Sequence, residues 1–204
     1  MRRVSLAVLL VTSSPFALAA QAPPQSDDDH YTRYELLAPG TGKFRILYEV
    51  TATTPGATRY FNGIRRGSIA TDESVIDRMT GAPLRFEVVR GDVARQYGVR
   101  GASPESEYIM VHLARPVPQG GEARILIDKT YEDTASYFVR GDTLVFDRSL
   151  GITRNAVVLP AGYELISVNY PSQVRQEADG RIAVSFINTG RGAVPYLVRA
   201  RRIR

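Results

Sequence analysis

From residue 31 onward, apolar and polar side chains alternate in short runs that Gly and Pro interrupt. The clearest run is KFRILYEVTAT, residues 43–53. Phe44, Ile46, Tyr48, Val50 and Ala52 share one face, and Lys43, Arg45, Glu49, Thr51 and Thr53 share the other. A period of two predicts a strand with one face on a core and the other in water. EARILIDKTYED, residues 122–133, repeats the pattern with Ala123, Ile125, Ile127 and Tyr131, and RIAVSFIN, 181–188, aligns Ile182, Val184 and Phe186. No segment holds an apolar stripe at helical spacing through three turns, so the body is predicted to be all-β.

Turn signals separate these runs. TGAP, 80–83, lies between SVIDRM and LRFEVV, and Asp179-Gly180 precedes RIAVSFIN. V-R-G-D occurs twice, at 89–92 and 139–142. Gly followed by Asp suits a two-residue hairpin of type II′, with Gly supplying the positive φ. The motif is therefore read as turn chemistry and not as an adhesion signal. Together the strands and turns predict an antiparallel β-sandwich. It forms either one extended sandwich over residues 32–204 or two packed β lobes, 32–133 and 142–204. A single continuous core is preferred, since no Pro/Ser linker divides the halves.

The front of the chain differs. MRR is positive, VSLAVLLV is a short apolar run, and TSSPFALA brings Pro15 and small residues at Ala17 and Ala19. That order is the layout of a secretory signal peptide over residues 1–19. The apolar run is too short for a stable membrane anchor. Arg2-Arg3 is a twin arginine, which leaves the export route open between Sec and Tat. Residues 20–31, small, polar and containing Pro, read as a flexible linker. The expected location is outside the cytoplasm, periplasmic or extracellular, with no anchor in the mature chain.

Export sharpens the meaning of the composition. The 204 residues include no Cys, so a packed core must stabilise the fold without disulfides. A thiol nucleophile, thiolate zinc site and iron–sulfur cluster are excluded. The formal charge is +5, carried by 24 Arg and only 2 Lys. Spread along the chain, it argues weakly for a polyanion partner. No nucleic-acid-binding motif is present.

A family resemblance enters at YIMVHLARPVPQGGEARILIDKTYED, residues 108–133, with VIDRMTGAPLRFEVV before it. A strand, a Pro-flanked turn and a strand ending in Tyr131 resemble the N-terminal β-sandwich domain of M1-type zinc aminopeptidases, over residues 73–133. In that family the domain is a non-catalytic saddle beside the protease domain, which implies a β-sandwich and no activity of its own. The family's H-E-x-x-H zinc motif is absent. The C-terminal half is not assigned to any family.

Little chemistry is legible. The two histidines, His30 and His112, show no positioned partner. G-x-S-x-G and the phosphate-loop motifs are missing. DDDH, 27–30, has metal-ligating residue types but reads as a solvated charge run in the tail. Asp128, Asp133, Asp147 and Glu164 are the acids whose convergence a carboxylate-dependent hydrolase would need. Two basic groups stand out: Arg65 and Arg66 in a Gly-bounded loop, and Arg199, Arg201, Arg202 and Arg204 at the chain's end. They are candidates for binding an acidic polysaccharide or lipopolysaccharide. Tyr163, Asn169 and Tyr170 are candidates for a ligand surface.

No catalytic residue, cofactor or metal site is expected. The leading expectation is an exported, non-catalytic binding or interaction module of the cell envelope, whose partner is an envelope protein or polysaccharide. The carboxylate hydrolase and the arginine-mediated polyanion binder stand as alternatives.

Overall fold

The chain's inward apolar positions close over one another as three β-sheets in the computed structural model, which describes residues 22–203. The expected signal peptide and Arg204 lie outside the described residues. The elements are β1 (Asp27–Leu36), β2 (Lys43–Ala52), β3 (Arg59–Gly63), β4 (Ile69–Asp77), β5 (Phe86–Arg90), α1 (Gly91–Gln96), β6 (Glu107–His112) and β7 (Ala123–Glu132). They continue as β8 (Tyr137–Arg140), β9 (Thr143–Leu150), β10 (Arg154–Val158), β11 (Tyr163–Val168), β12 (Gln173–Gln176), β13 (Ile182–Ile187) and β14 (Val194–Arg202).

Seven strands form the large sheet in the order β12-β13-β10-β1-β2-β7-β4. Two smaller sheets, β11-β14-β9-β8 and β3-β6-β5, cover one of its faces. This is the expected all-β sandwich. All pairs are antiparallel except β1 with β10, which run parallel from Tyr31 opposite Arg154 to Glu35 opposite Val158. That pair joins the N-terminal strand to the C-terminal half, across a connection long enough for a parallel crossover.

One core holds both halves. Phe44 and Ile127 from the large sheet, Phe146 and Val198 from the four-stranded sheet, and Ile109 and Val111 from the three-stranded sheet belong to one buried cluster. Phe146 meets Tyr34 at 5.5 Å and Phe44 edge-on at 5.6 Å between ring centroids. Each such pair adds about 0.5–1.5 kcal/mol beyond its buried area.

The two V-R-G-D copies diverge. Gly141-Asp142 is the expected two-residue hairpin: Arg140 pairs with Thr143, and Gly141 has φ 58°. Gly91-Asp92 is not a hairpin. It opens the short helix α1, with Asp92 in its first turn and Arg95 in its last, the signs that a helix dipole favours. Gly91 is required for another reason: a Cβ there would meet the Ser103 carbonyl oxygen at 1.9 Å.

The start of the described chain also differs from expectation. β1 begins at Asp27, inside the segment read as linker, so DDDH belongs to a central strand. A bulge between Asp28 and Tyr31, with Asp29 at φ 50°, lets Asp27 and His30 turn to the same side.

Candidate functional site

Strand alternation places charged residues where apolar ones would be expected. In β7 the inward positions are Ile125, Ile127, Lys129 and Tyr131. In β9 they are Leu144, Phe146, Arg148 and Leu150. Lys129 is 3% exposed and Arg148 6%. Both line a cleft of about 270 Å³ where the two smaller sheets meet above the large one. β1 contributes Thr32 and Tyr34, β2 contributes Ile46 and Tyr48, and the loop after β3 contributes Ile64 and Arg65.

The two buried cations are treated differently by their neighbours. Arg148 donates to Asp133 at 2.8 Å and to the Ser136 hydroxyl at 3.2 Å, with its guanidinium 5.4 Å from the Phe44 ring centre. Asp133 also accepts from the backbone and hydroxyl of Ser136 and from the Ser68 hydroxyl. Burial pushes the Asp133 carboxyl up, but those hydrogen bonds and the Arg148 charge outweigh it and hold it below its ordinary value. The Arg148 charge is therefore compensated.

Lys129 has no such partner. Its ammonium donates to Asn62 Oδ1 at 2.6 Å and lies 4.9 Å from the Tyr131 ring centre. No carboxylate forms an ion pair with it among the described residues. Burial, with some help from the nearby positive Arg148, pushes its pKa down to about 7, while Glu73 acts weakly the other way. Three ammonium donors with one protein acceptor leave two for something else.

A second polar chain reaches the same cleft. His30 Nε2 bonds Asp27 at 2.8 Å, Tyr60 donates to the other Asp27 oxygen at 2.8 Å, and the Tyr48 and Tyr60 hydroxyls are 3.1 Å apart. The Tyr60 proton is given to Asp27, so Tyr48 donates to Tyr60. The hydrogen bond from Asp27 raises the pKa of His30 above its ordinary value, against burial. Burial pushes Asp27 up, but hydrogen bonds to His30 and Tyr60 overcome it and lower its pKa. Burial raises Tyr48 to about 12, so it is a neutral hydroxyl wall of the cleft.

The residues singled out from the sequence fall in several places. Arg65 sits at the cleft rim, its backbone N–H donating to the Tyr131 hydroxyl at 3.2 Å. Arg66 is exposed in the same loop. Arg199 lines a shallow groove with Phe138 and Arg140 on the outer face of the four-stranded sheet. Arg201, Arg202 and Tyr163 do come together, in a hollow of about 860 Å³ that is larger and less open than the Lys129 cleft, where Arg201 is held by Glu164 at 2.6 Å. Asn169 clamps the β14 backbone, donating to the Pro195 carbonyl and accepting from Leu197 N–H. Tyr170 packs edge-on against Phe186 at 5.1 Å.

The four acids weighed for hydrolysis do not share a cleft. Asp128 pairs with Arg45 on the outer face of the large sheet, Asp133 is bonded to Arg148, Asp147 lines the Arg199 groove and Glu164 pairs with Arg201. In DDDH, Asp27 bonds Tyr60 and His30 packs edge-on to Tyr48, while Asp29 faces outward to Arg154 and Arg124. Among the described residues no group of three or more His, Cys, Asp or Glu could hold a metal ion. No described helix is long and apolar enough to cross a membrane.

Known proteins resemble this chain in fold and not in sequence. No protein-family model matches it, and no curated protein does. An M1 zinc metallopeptidase from Deinococcus radiodurans matches with a TM-score of 0.52 at 11% identity, over 88% of this chain and 42% of its own. A two-domain M1 zinc metallopeptidase bound to L-tryptophan matches at the same TM-score and identity, over 87% and 43%. A further Deinococcus radiodurans structure, bound to a Tyr-Ser-Ala substrate, gives 0.51 and 11%, over 87% and 42%. The chain spans less than half the length of these structures. The resemblance expected for residues 73–133 is present, and at 87% of the chain it also takes in most of the C-terminal half left unassigned.

Proposed function

We propose that this protein is an exported, non-catalytic β-sandwich binding module of the cell envelope, and that it takes its ligand in the cleft at the junction of the three sheets. The observation that carries the reading is Lys129: a buried ammonium with two unused donors, lining a solvent-open cleft of about 270 Å³. A buried charge without a partner is costly, and a strongly perturbed group in a cleft marks a candidate functional site. The fold likeness, to part of larger proteins, supports a module. The separate engagement of Asp128, Asp133 and Glu164 weighs against carboxylate hydrolysis. The signal-peptide layout supports export. The arginine alternative is weaker because Arg65, Arg199 and Arg201 line three different hollows.

The test is retention from envelope extract on the immobilised chain, followed by mass spectrometry of what is eluted. A component held by the native chain and lost in Lys129→Met is expected, recovered chemically unchanged. Identical retention by both proteins would contradict the site, and conversion of the component during incubation would contradict the non-catalytic role.

A further inference from the structure

The following inference rests on the cleft being a binding site and names what it takes. We propose that the cleft binds a small organic carboxylate, its head on Lys129 Nζ and a compact apolar body against Ile46, Ile64 and Ile152.

Charge sets the head. Arg148 is already balanced by Asp133, and the Arg65 side chain is exposed at the rim. Lys129 alone is uncompensated inside, so a monoanion leaves the site neutral. A dianion such as sulfate would leave a negative charge beside Asp133 and Glu73. An uncharged ligand would leave the ammonium buried and unpaired, which is the costly arrangement. Donor count agrees: the two free ammonium hydrogens match the oxygens of one carboxylate.

Volume and walls set the body. At about 270 Å³ the cleft lies just below the roughly 300–1,000 Å³ usual for small-molecule pockets. That admits a carboxylate with several carbons beside Lys129. Thr32, the Tyr48 hydroxyl, Arg65 and Arg148 share the walls with aliphatic Ile46, Ile64 and Ile152, and the three isoleucines supply the apolar seat for the body.

The experiment is calorimetric titration of the full chain with butyrate, butyramide and sulfate at one ionic strength and pH 6.5. Butyrate should bind at least tenfold more tightly than butyramide and more tightly than sulfate. Lys129→Met should lose at least tenfold in butyrate affinity without a lower melting temperature, and Arg199→Ala, on the outer face, should change nothing. Equal binding of butyramide, equal binding of sulfate, or full butyrate affinity in Lys129→Met would overturn the proposal. If butyramide binds and butyrate does not, the carboxylate falls and the binding role stands. If none of the three binds, the carboxylate falls, and retention from envelope extract decides the binding role separately. A tripeptide ending in free valine separates two sources of the same head. Binding as tight as butyrate assigns it to a chain end, and exclusion assigns it to a free acid.

Discussion

The outer face of the large sheet and the inner cleft both carry cations, and they handle them in opposite ways. Outside, Arg33 makes a two-bonded pair with Glu177 and a third bond to Glu35, Arg181 bridges Glu35 and Asp179, and Arg45 binds Asp128. Every one of these guanidinium groups has a carboxylate and access to water. Inside, Arg148 has its carboxylate, but Lys129, four residues before Asp133 on the chain, has only an amide oxygen. The difference separates charge that keeps a surface soluble and in register from charge that leaves a need unmet. Surface pairs are each worth about 0–1 kcal/mol. A lone buried cation costs stability, which is why Lys129 marks the site and the more numerous arginines do not.

The largest effect should come from breaking the compensated inner pair. Asp133→Ala leaves Arg148 buried without a carboxylate and should cost about 3–5 kcal/mol in urea unfolding. A loss below about 1 kcal/mol would mean that Arg148 reaches water once Asp133 is gone.

Next comes the uncompensated lysine, with the opposite sign. Its pKa is about 7 when folded against an ordinary 10.5, so the unfolded chain binds more protons between those values. Native stability should therefore rise as pH increases from about 7 toward 10. Lys129→Met removes the penalty, and should stabilise the chain by on the order of a few kcal/mol at pH 6. The advantage should shrink as pH approaches 10. Melting curves of both proteins at matched pH values read this directly, and a destabilised variant at pH 6 would contradict it.

The His30–Asp27 pair should be smaller. A raised His30 pKa means its contribution is full below the ordinary value of 6.5 and fades as pH rises through the folded value. The lowered Asp27 pKa means its contribution is present above 3.8 and is lost as pH falls through the folded value. His30→Gln should thus cost about 1 kcal/mol near pH 5.5 and less at pH 8. A loss that does not depend on pH would show that His30 acts only by packing on Tyr48. Smallest of all is Arg45→Ala, expected to cost under about 1 kcal/mol and to be masked by 1 M salt.

Much of the sandwich could be read from alternation. The inward faces of β2 and β13 were plain because Phe44, Ile46, Tyr48 and Val50, or Ile182, Val184 and Phe186, are apolar without interruption. The site was present in the same pattern but in the gaps. Lys129 interrupts Ile125, Ile127 and Tyr131, and Arg148 interrupts Leu144, Phe146 and Leu150. A charge in phase with the core is the signal that a reading confined to apolar positions passes over. Arg65 was found by its exposed Arg-Arg loop, although its place beside Tyr131 depends on how the loop folds back over β7. DDDH was misread because its local composition is that of a tail, while its structure depends on Tyr60 and Arg154, far away in sequence. The first V-R-G-D was misread because the approach of Ser103 to Gly91 is a tertiary contact, invisible in the four residues themselves.

The most direct measurement follows from the chain's having only two lysines, Lys43 and Lys129. Lysine labelled with carbon-13 at the ε position gives two NMR signals, and the one missing in Lys129→Met belongs to the cleft. Titrated without ligand, that signal should have a midpoint near 7, and saturating butyrate should move it upward. Ligand-linked protonation of this kind follows from an anion favouring the charged form. A midpoint at or above the ordinary 10.5, indifferent to butyrate, would show that Lys129 has a counter-ion of its own and that the cleft does not hold one in reserve.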